Sequence, residues 1–166
     1  MHPIRPMRRG DIPAVLAIQA EAYRTETLET ETTIRGRLAA CPDTAWVAEG
    51  NDGVCAYLVG YRSTVGKVTP LDGDFAPLAR GDSLYLHDLA VSSRVNGRGL
   101  GPALVNAALG HARDRGLRYS ALVSVQGSKG FWERLGYAAT LQLEQQQAAN
   151  LATYTGPAYY MVKPLA

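Results

Sequence analysis

The sequence predicts an α/β (α+β) fold, and three observations carry that prediction. Strand-like and helix-like periodicities alternate along the chain, one strand runs directly into a glycine-rich turn and a helix, and 166 residues are enough for one core but not two. A single domain over 1–166 is therefore expected. With 46% hydrophobic and 19% charged residues the chain can bury a real core, which excludes a disordered or fibrous reading. A net charge of +2 without a basic, aromatic-interleaved stripe gives no reason to expect a nucleic-acid partner.

The elements follow in order. Ile4 to Met7 reads as a short strand, and Asp11 before Ile12-Pro13 is a helix start, with Asp11 as N-cap and proline in the first turn. Ile12, Val15, Leu16, Gln19, Ala22 and Tyr23 then recur at helical spacing. A second helix runs from about Glu31 to Leu38 and breaks at Cys41-Pro42-Asp43. Thr44–Glu49 and Val54–Tyr61 are strands joined by Gly50-Asn51-Asp52-Gly53, a hairpin turn by its chemistry. Arg62 to Asp82 reads as a long surface loop. Ser83–Val91 is a strong strand, and the helix beyond it opens at Pro102, turns Leu104, Val105, Ala108, Leu109 and Ala112 inward, and ends before Gly116. Tyr119–Val125 is a strand, Ser128–Leu135 a short helix ended by Gly136, and Thr140–Glu144 and Ala158–Val162 are the last strands.

Cys41 and Cys55 have neither CxxC spacing nor a neighbouring histidine, so free thiols and no metal site are expected. The N-terminus lacks an apolar core and no window suffices to span a membrane, which points to a cytoplasmic protein without a membrane partner.

The turn Asn96-Gly97-Arg98-Gly99-Leu100-Gly101 between strand and helix has the chemistry of an anion site. The first N–H groups of a helix lack intrahelical partners, and glycines let the backbone take positive φ and come close to a phosphate. Five arginines and one aspartate between Ser92 and Arg118 add positive charge. Two other phosphate loops are excluded: a dinucleotide fingerprint needs glycine where Pro102 stands, and a Walker A loop needs Gly-Lys-Ser/Thr, whereas Gly66-Lys67 precedes Val68.

LHDLAVSSRVNGRGLGPALV, Leu86 to Val105, resembles the acetyl-CoA-binding motif of the GNAT superfamily of N-acetyltransferases. FWERLGY, Phe131 to Tyr137, is similar to the second motif of that superfamily. The resemblance implies a mixed central sheet of six to seven strands flanked by about four helices, acetyl-CoA as cosubstrate, and a homodimer. It also implies that Asn96, Gly97, Arg98, Gly99, Leu100, Gly101 and Pro102 surround the pyrophosphate, that the backbone at Leu89 and Val91 pairs with the pantetheine arm, and that Trp132 packs beside it. Asn96 stands where the superfamily has Gln or Arg, and Trp132 where many members have a tyrosine acid.

Acetyl transfer to an amine needs a proton acceptor, because a lysine-like amine with pKa ~10.4 is only about 0.1% neutral near pH 7.4. Strict alternation places Tyr85, His87, Leu89 and Val91 on one face of their strand, and Leu84, Leu86, Asp88 and Ala90 on the other. YLHDLAV is similar to the arylalkylamine N-acetyltransferase branch, in which a His-x-His helps remove the amine proton. By that resemblance His87 is the base, directly or through water, and Tyr85 supports it. A hydrogen-bonded core histidine is the structural alternative; Asp88 reads as a structural acceptor unless a bulge exchanges the two roles. With Trp132 unable to act as an acid, Tyr137 and Ser128 are the substitute candidates.

Four glutamates and one arginine from Glu21 to Glu31 would steer a small cationic amine, although such a run is more often a solvated helix face. Tyr23, Trp46 and Tyr159-Tyr160 are wall or core. The function expected is acetyl transfer to a primary amine in a ternary complex. The alternatives are a non-catalytic acyl-CoA-binding module and a protein or peptide acetyltransferase.

Overall fold

The computed structural model describes residues 2–23, 25 and 28–165. Seven strands form one mixed sheet in the order β1-β2-β3-β4-β5-β7-β6, with five α-helices among the described residues rather than about four. β1 (Ile4–Pro6) pairs antiparallel with β2 (Ala45–Gly50), and β2 forms the expected hairpin with β3 (Gly53–Ser63). β4 (Ser83–Val91) lies antiparallel to β3 and parallel to β5 (Tyr119–Ser124). β7 (Tyr159–Pro164) joins β5 to the two-residue edge strand β6 (Ala138–Ala139).

α1 (Ile12–Ala22) and α2 (Glu31–Ala40) cover one face of the sheet, burying Ile12, Val15, Ile18 and Ile34 against Val47, Tyr57 and Ala90. Asp11 sits at the N-cap of α1, but its side chain does not cap that helix. Its carboxylate takes both NH groups of Arg5 at 2.8 and 2.9 Å and the Arg8 N–H at 2.7 Å. Because Arg5 also reaches Glu49, the pairing fastens β1, β2 and the start of α1 together.

The other face carries α3 (Leu100–Asp114) and α4 (Lys129–Arg134). Leu104, Val105, Ala108, Leu109 and Ala112 are all buried, as their spacing predicts, each large apolar side chain contributing ~1.5–3 kcal/mol. The helix begins two residues before Pro102, because Gly99 in the left-handed region at φ 74° forms its N-cap. At its other end the N–H groups of Gly116 and Leu117 bond the Arg113 and Ala112 carbonyls, the paired bonds of a glycine-terminated helix.

One expectation near the C-terminus is corrected and one element is added. Thr140–Glu144 forms no strand, since Leu141 is 94% exposed and gives the segment no apolar face to bury. The glutamine-rich stretch beyond it is α5 (Gln145–Leu151), composed largely of good helix formers.

β4 departs from strict alternation. Val59 pairs with Asp88 and Gly60 with Leu86, so neighbours on β3 face residues two apart on β4 and His87 is the extra one. A bulge inverts the alternation beyond it. Leu89 and Val91 consequently join Leu84 and Leu86 on the α3 side, while Ala90 packs under α1 and Asp88 meets Tyr57 of that same face. This corrects the expectation that Leu89 and Val91 share the face of Tyr85 and that Asp88 points away from it. His87 does lie with Tyr85, the ring centroids 6.3 Å apart.

Gly60 makes the bulge sterically feasible: a Cβ there would stand 2.2 Å from the Tyr85 carbonyl oxygen. Gly60→Ala forces the two strands apart at this point and should cost about 1–3 kcal/mol or more, read as a lower midpoint in urea unfolding.

Candidate functional site

β4 and β5 part where the bulge begins. Their parallel register runs from Ser83–Tyr119 to Leu86–Leu122 and stops, while Val123 and Ser124 continue in pairing with β7. A cavity of about 490 Å³ occupies the opening, lined by Leu86 to Val91 on one side and Leu122, Val123 and Val125 on the other.

At one end the cavity meets the glycine turn. Gly97 and Gly99 have φ of 82° and 74°, and neither would place a Cβ within 4 Å of another atom. Their role is therefore backbone conformation and open approach rather than packing. No side chain caps α3, so the N–H groups of its first turn are left for an anion. Asn96, Gly97, Gly99, Leu100, Gly101 and Pro102 line the cavity, and Arg98 is exposed. Phe131 and Trp132 of α4 stand opposite, edge to face at 4.9 Å, with Phe131 against Gly101. A narrow apolar slot ending at a helix N-terminus fits an extended thioester arm with a pyrophosphate at its end. The Tyr23 hydroxyl lies 3.0 Å from the Leu89 carbonyl but 2.6 Å from Asp88, and its single proton goes to the nearer carboxylate, which leaves the Leu89 carbonyl to accept from such an arm.

The other end is polar and built from residues that the bulge brings to one side. Asp88 accepts the hydroxyls of Tyr23 and Tyr57, each at 2.6 Å. Burial and the nearby Glu29 push its carboxyl up, and the two hydroxyls oppose them. Burial, then Asp88, pushes both tyrosines up, so they stay protonated donors. His87 turns Nε2 to the Glu29 carboxylate at 3.1 and 3.2 Å. Arg37 grips the same carboxylate with both NH groups at 2.7 Å. Burial alone would raise the Glu29 carboxyl, but His87 and Arg37 outweigh it and hold the group well below the usual carboxylate range.

The loop after β3 walls this end. Asp72 N–H donates to Glu29 at 2.8 Å and Arg37 donates to the Gly73 carbonyl. The Tyr154 hydroxyl donates to the Thr69 carbonyl at 2.7 Å, and Asn150 of α5 to that of Val68 at 2.9 Å. Leu71 and Tyr154 face the cavity as a result.

Of the residues predicted from sequence, the structure brings His87, Leu89, Val91, Trp132 and the turn residues other than Arg98 to one cleft. Tyr85 lies behind His87, 1% exposed, and is not among the lining residues. Tyr137 is corrected as acid: it is 2% exposed in the core, and its hydroxyl is paired with Ser120 Oγ at 2.7 Å. Trp46 and Tyr160 are core. Of the acidic run, Glu21 and Glu31 are exposed, the first accepting from Ser93 and the second paired with Arg35, Glu29 is buried with Arg37, and Glu26 lies outside the described residues. Sequence reading missed Arg37, Tyr57 and Tyr154, and missed Glu29 as an individual residue. One signal was present, since Arg37 falls on the buried stripe of α2 with Ile34 and Leu38, and an arginine on an apolar stripe needs a buried partner.

Residues 12–137 match the Acetyltransferase (GNAT) family. No curated protein matches the sequence. Among solved structures, the GphF GNAT-like decarboxylase in complex with isobutyryl-CoA is similar at 17% identity, with 99% of this chain and 100% of that chain covered and a TM-score of 0.83. The ribosomal-protein-S18-alanine N-acetyltransferase from Escherichia coli shares 17% identity over 100% of this chain and 95% of that one, TM-score 0.70. The GNAT family N-acetyltransferase YhbS from Escherichia coli, in complex with CoA, shares 19% identity over 99% and 82%, TM-score 0.66.

A carboxyl held low in the folded state contributes stability above the ordinary carboxylate value of about 4.3 and loses it as pH falls. Arg37→Met leaves Glu29 charged and buried without its bidentate partner, and should cost about 3–5 kcal/mol at neutral pH. Urea unfolding at pH 7 and pH 4 checks this, with the difference between wild type and variant smaller at the lower pH.

Proposed function

Because the chain belongs to the acetyltransferase (GNAT) family, we propose that it is an acetyl-CoA-dependent N-acetyltransferase acting on a small cationic primary amine in a ternary complex. The observation that carries this reading is the charge of the cleft. Its described lining residues include Glu29, His87 and Asp88 and no lysine or arginine. Glu29 is matched by Arg37 behind it, so Asp88 supplies the charge that attracts an ammonium and repels a carboxylate. Leu71, Tyr154 and the fastened loop close the acceptor end, which favours a small amine over a peptide chain.

The thioester supplies an electrophilic acetyl carbonyl. The first turn of α3 holds the pyrophosphate, and the edge of β4 freed from β5 presents backbone N–H groups where the carbonyl oxygen gains charge. Asp88 draws the ammonium in, and His87 takes its proton through Nδ1, directly or across one water, since Nε2 is committed to Glu29. An alkyl thiolate, pKa ~8.5, leaves without a strong acid. That suits a cleft with Trp132 at the acid position. Burial pushes the thiols of Cys41 and Cys55 up, which disfavours a covalent cysteine route. A malonyl-type decarboxylase would have to seat the substrate carboxylate at this end of the cleft, beside Asp88, which repels it.

Thiol release from acetyl-CoA, measured against arylalkylamines, polyamines, amino acids and lysine peptides, should appear with small cationic amines. His87→Ala should lower kcat about 10²–10⁴-fold while calorimetry gives an acetyl-CoA Kd within about twofold of wild type, because His87 lies away from the phosphate turn. Malonyl-CoA should release no carbon dioxide. Tight acetyl-CoA binding with no release from any amine would favour a non-catalytic acyl-CoA-binding module.

A further inference from the structure

We infer that Glu29 is the positioning residue of this site: its carboxylate accepts the Nε2–H of His87 and fixes the tautomer that leaves Nδ1 free to take a proton. The inference rests on His87 as the base. Glu29 and His87 are brought together from the segment before α2 and from the β4 bulge, with side chains 5% and 2% exposed. Nδ1 is buried and has no hydrogen-bond partner among the described residues.

The elimination is chemical. Arg37 has donors only and meets both Glu29 oxygens in a fork, and the Asp72 N–H adds a third donor. A carboxylate held this way stays ionised and can only accept. The ring nitrogen facing it must therefore carry hydrogen, and in the neutral imidazole the other must be bare. Glu29 is itself immobile, because the Gln19 side-chain amide bonds its backbone N–H at 2.9 Å and its carbonyl at 3.2 Å. Phe75, Tyr85 and Tyr154 pack around the imidazole at centroid distances of 5.4, 6.3 and 6.5 Å, which restricts rotation of the ring. Fixing tautomer and orientation is what a buried carboxylate does for the histidine of a hydrolase triad. In this protein an arginine buried behind the carboxylate keeps it charged.

The test is the tautomer of His87 in the 15N-labelled full chain, read from long-range proton–nitrogen spectra at pH 8, with His87 assigned by comparison with His2→Gln and His111→Gln. Wild type should show hydrogen on Nε2 and none on Nδ1. Glu29→Gln, which can donate as well as accept, should show a mixture or the opposite tautomer, and kcat should fall about 100-fold or more, with the acetyl-CoA Kd within about twofold. Glu29→Asp keeps the charge and should restore the Nε2–H tautomer with part of the lost kcat.

A wild-type ring protonated on Nδ1, or a Glu29→Gln variant with wild-type tautomer and kcat, overturns the inference. If Glu29→Gln does not fold, the wild-type tautomer and the Glu29→Asp variant still decide it. A wild type that acetylates no amine defeats the functional reading and this inference with it, whereas an active enzyme with the wrong tautomer defeats this inference alone.

Discussion

The Tyr85 carbonyl lies where a side chain on Gly60 would have to stand, and that close approach lets β4 carry one more residue than β3 at His87. Much of the cleft depends on it. The bulge turns Leu89 and Val91 toward the α3 side and Asp88 toward α1, and beyond it β4 leaves β5. A regular strand would have continued the parallel ladder and closed the opening. It would also have separated His87 from Asp88 by the thickness of the sheet. One irregularity thus makes the slot and gathers the polar groups at its end, which is why bulges recur beside sites of chemistry.

Two carboxylates meet at that end and are driven in opposite directions. Glu29 has the Arg37 fork, a backbone N–H and the His87 ring, and is held ionised. Asp88 has two tyrosine hydroxyls and no paired cation among the hydrogen bonds it makes, and burial pushes it up. Groups pushed apart by their surroundings take different roles. Glu29 is suited to orienting a neighbour permanently, and Asp88 to receiving a cation that replaces the solvation it has lost. The loop that walls the acceptor end is fastened to Glu29 and Arg37, so the wall and the histidine share one anchor.

The parts legible in the sequence are those set by neighbours in the chain. The run from Ser83 through the glycine turn into α3 has strand, turn and helix signals within about thirty residues, and the structure forms all three elements where the sequence places them, although the alternation changes face at His87. The Asn51-Asp52 hairpin and the Gly116 helix end are local in the same sense. The parts that were illegible depend on distant residues. The bulge at His87 is dictated by Gly60 on another strand. Glu29 looks like one member of an acidic run until Arg37 and His87, 8 and 58 residues away, are placed beside it. Leu141 and Leu143 alternate like a strand, yet Leu141 has nothing to pack on and the alternation yields none.

Trp132 and Tyr137 show how burial redistributes the chemical burden. The indole at the acid position has only a weak donor, and the tyrosine five residues on is locked to Ser120 in the core, with burial pushing its hydroxyl up. Neither can deliver a proton to a leaving thiolate. For a thiolate this omission is tolerable, because a thiol of pKa ~8.5 is acidic enough for its anion to leave without prior protonation. For an amine of pKa ~10.4 the corresponding omission on the other side would not be, since nearly every acceptor molecule arrives protonated. In the reaction we propose, the difficult proton is the one that comes off the nucleophile. The buried polar groups are concentrated there: a histidine with one nitrogen committed and the other buried without a hydrogen-bond partner among the described residues, a carboxylate fixed behind it, and an arginine keeping that carboxylate charged.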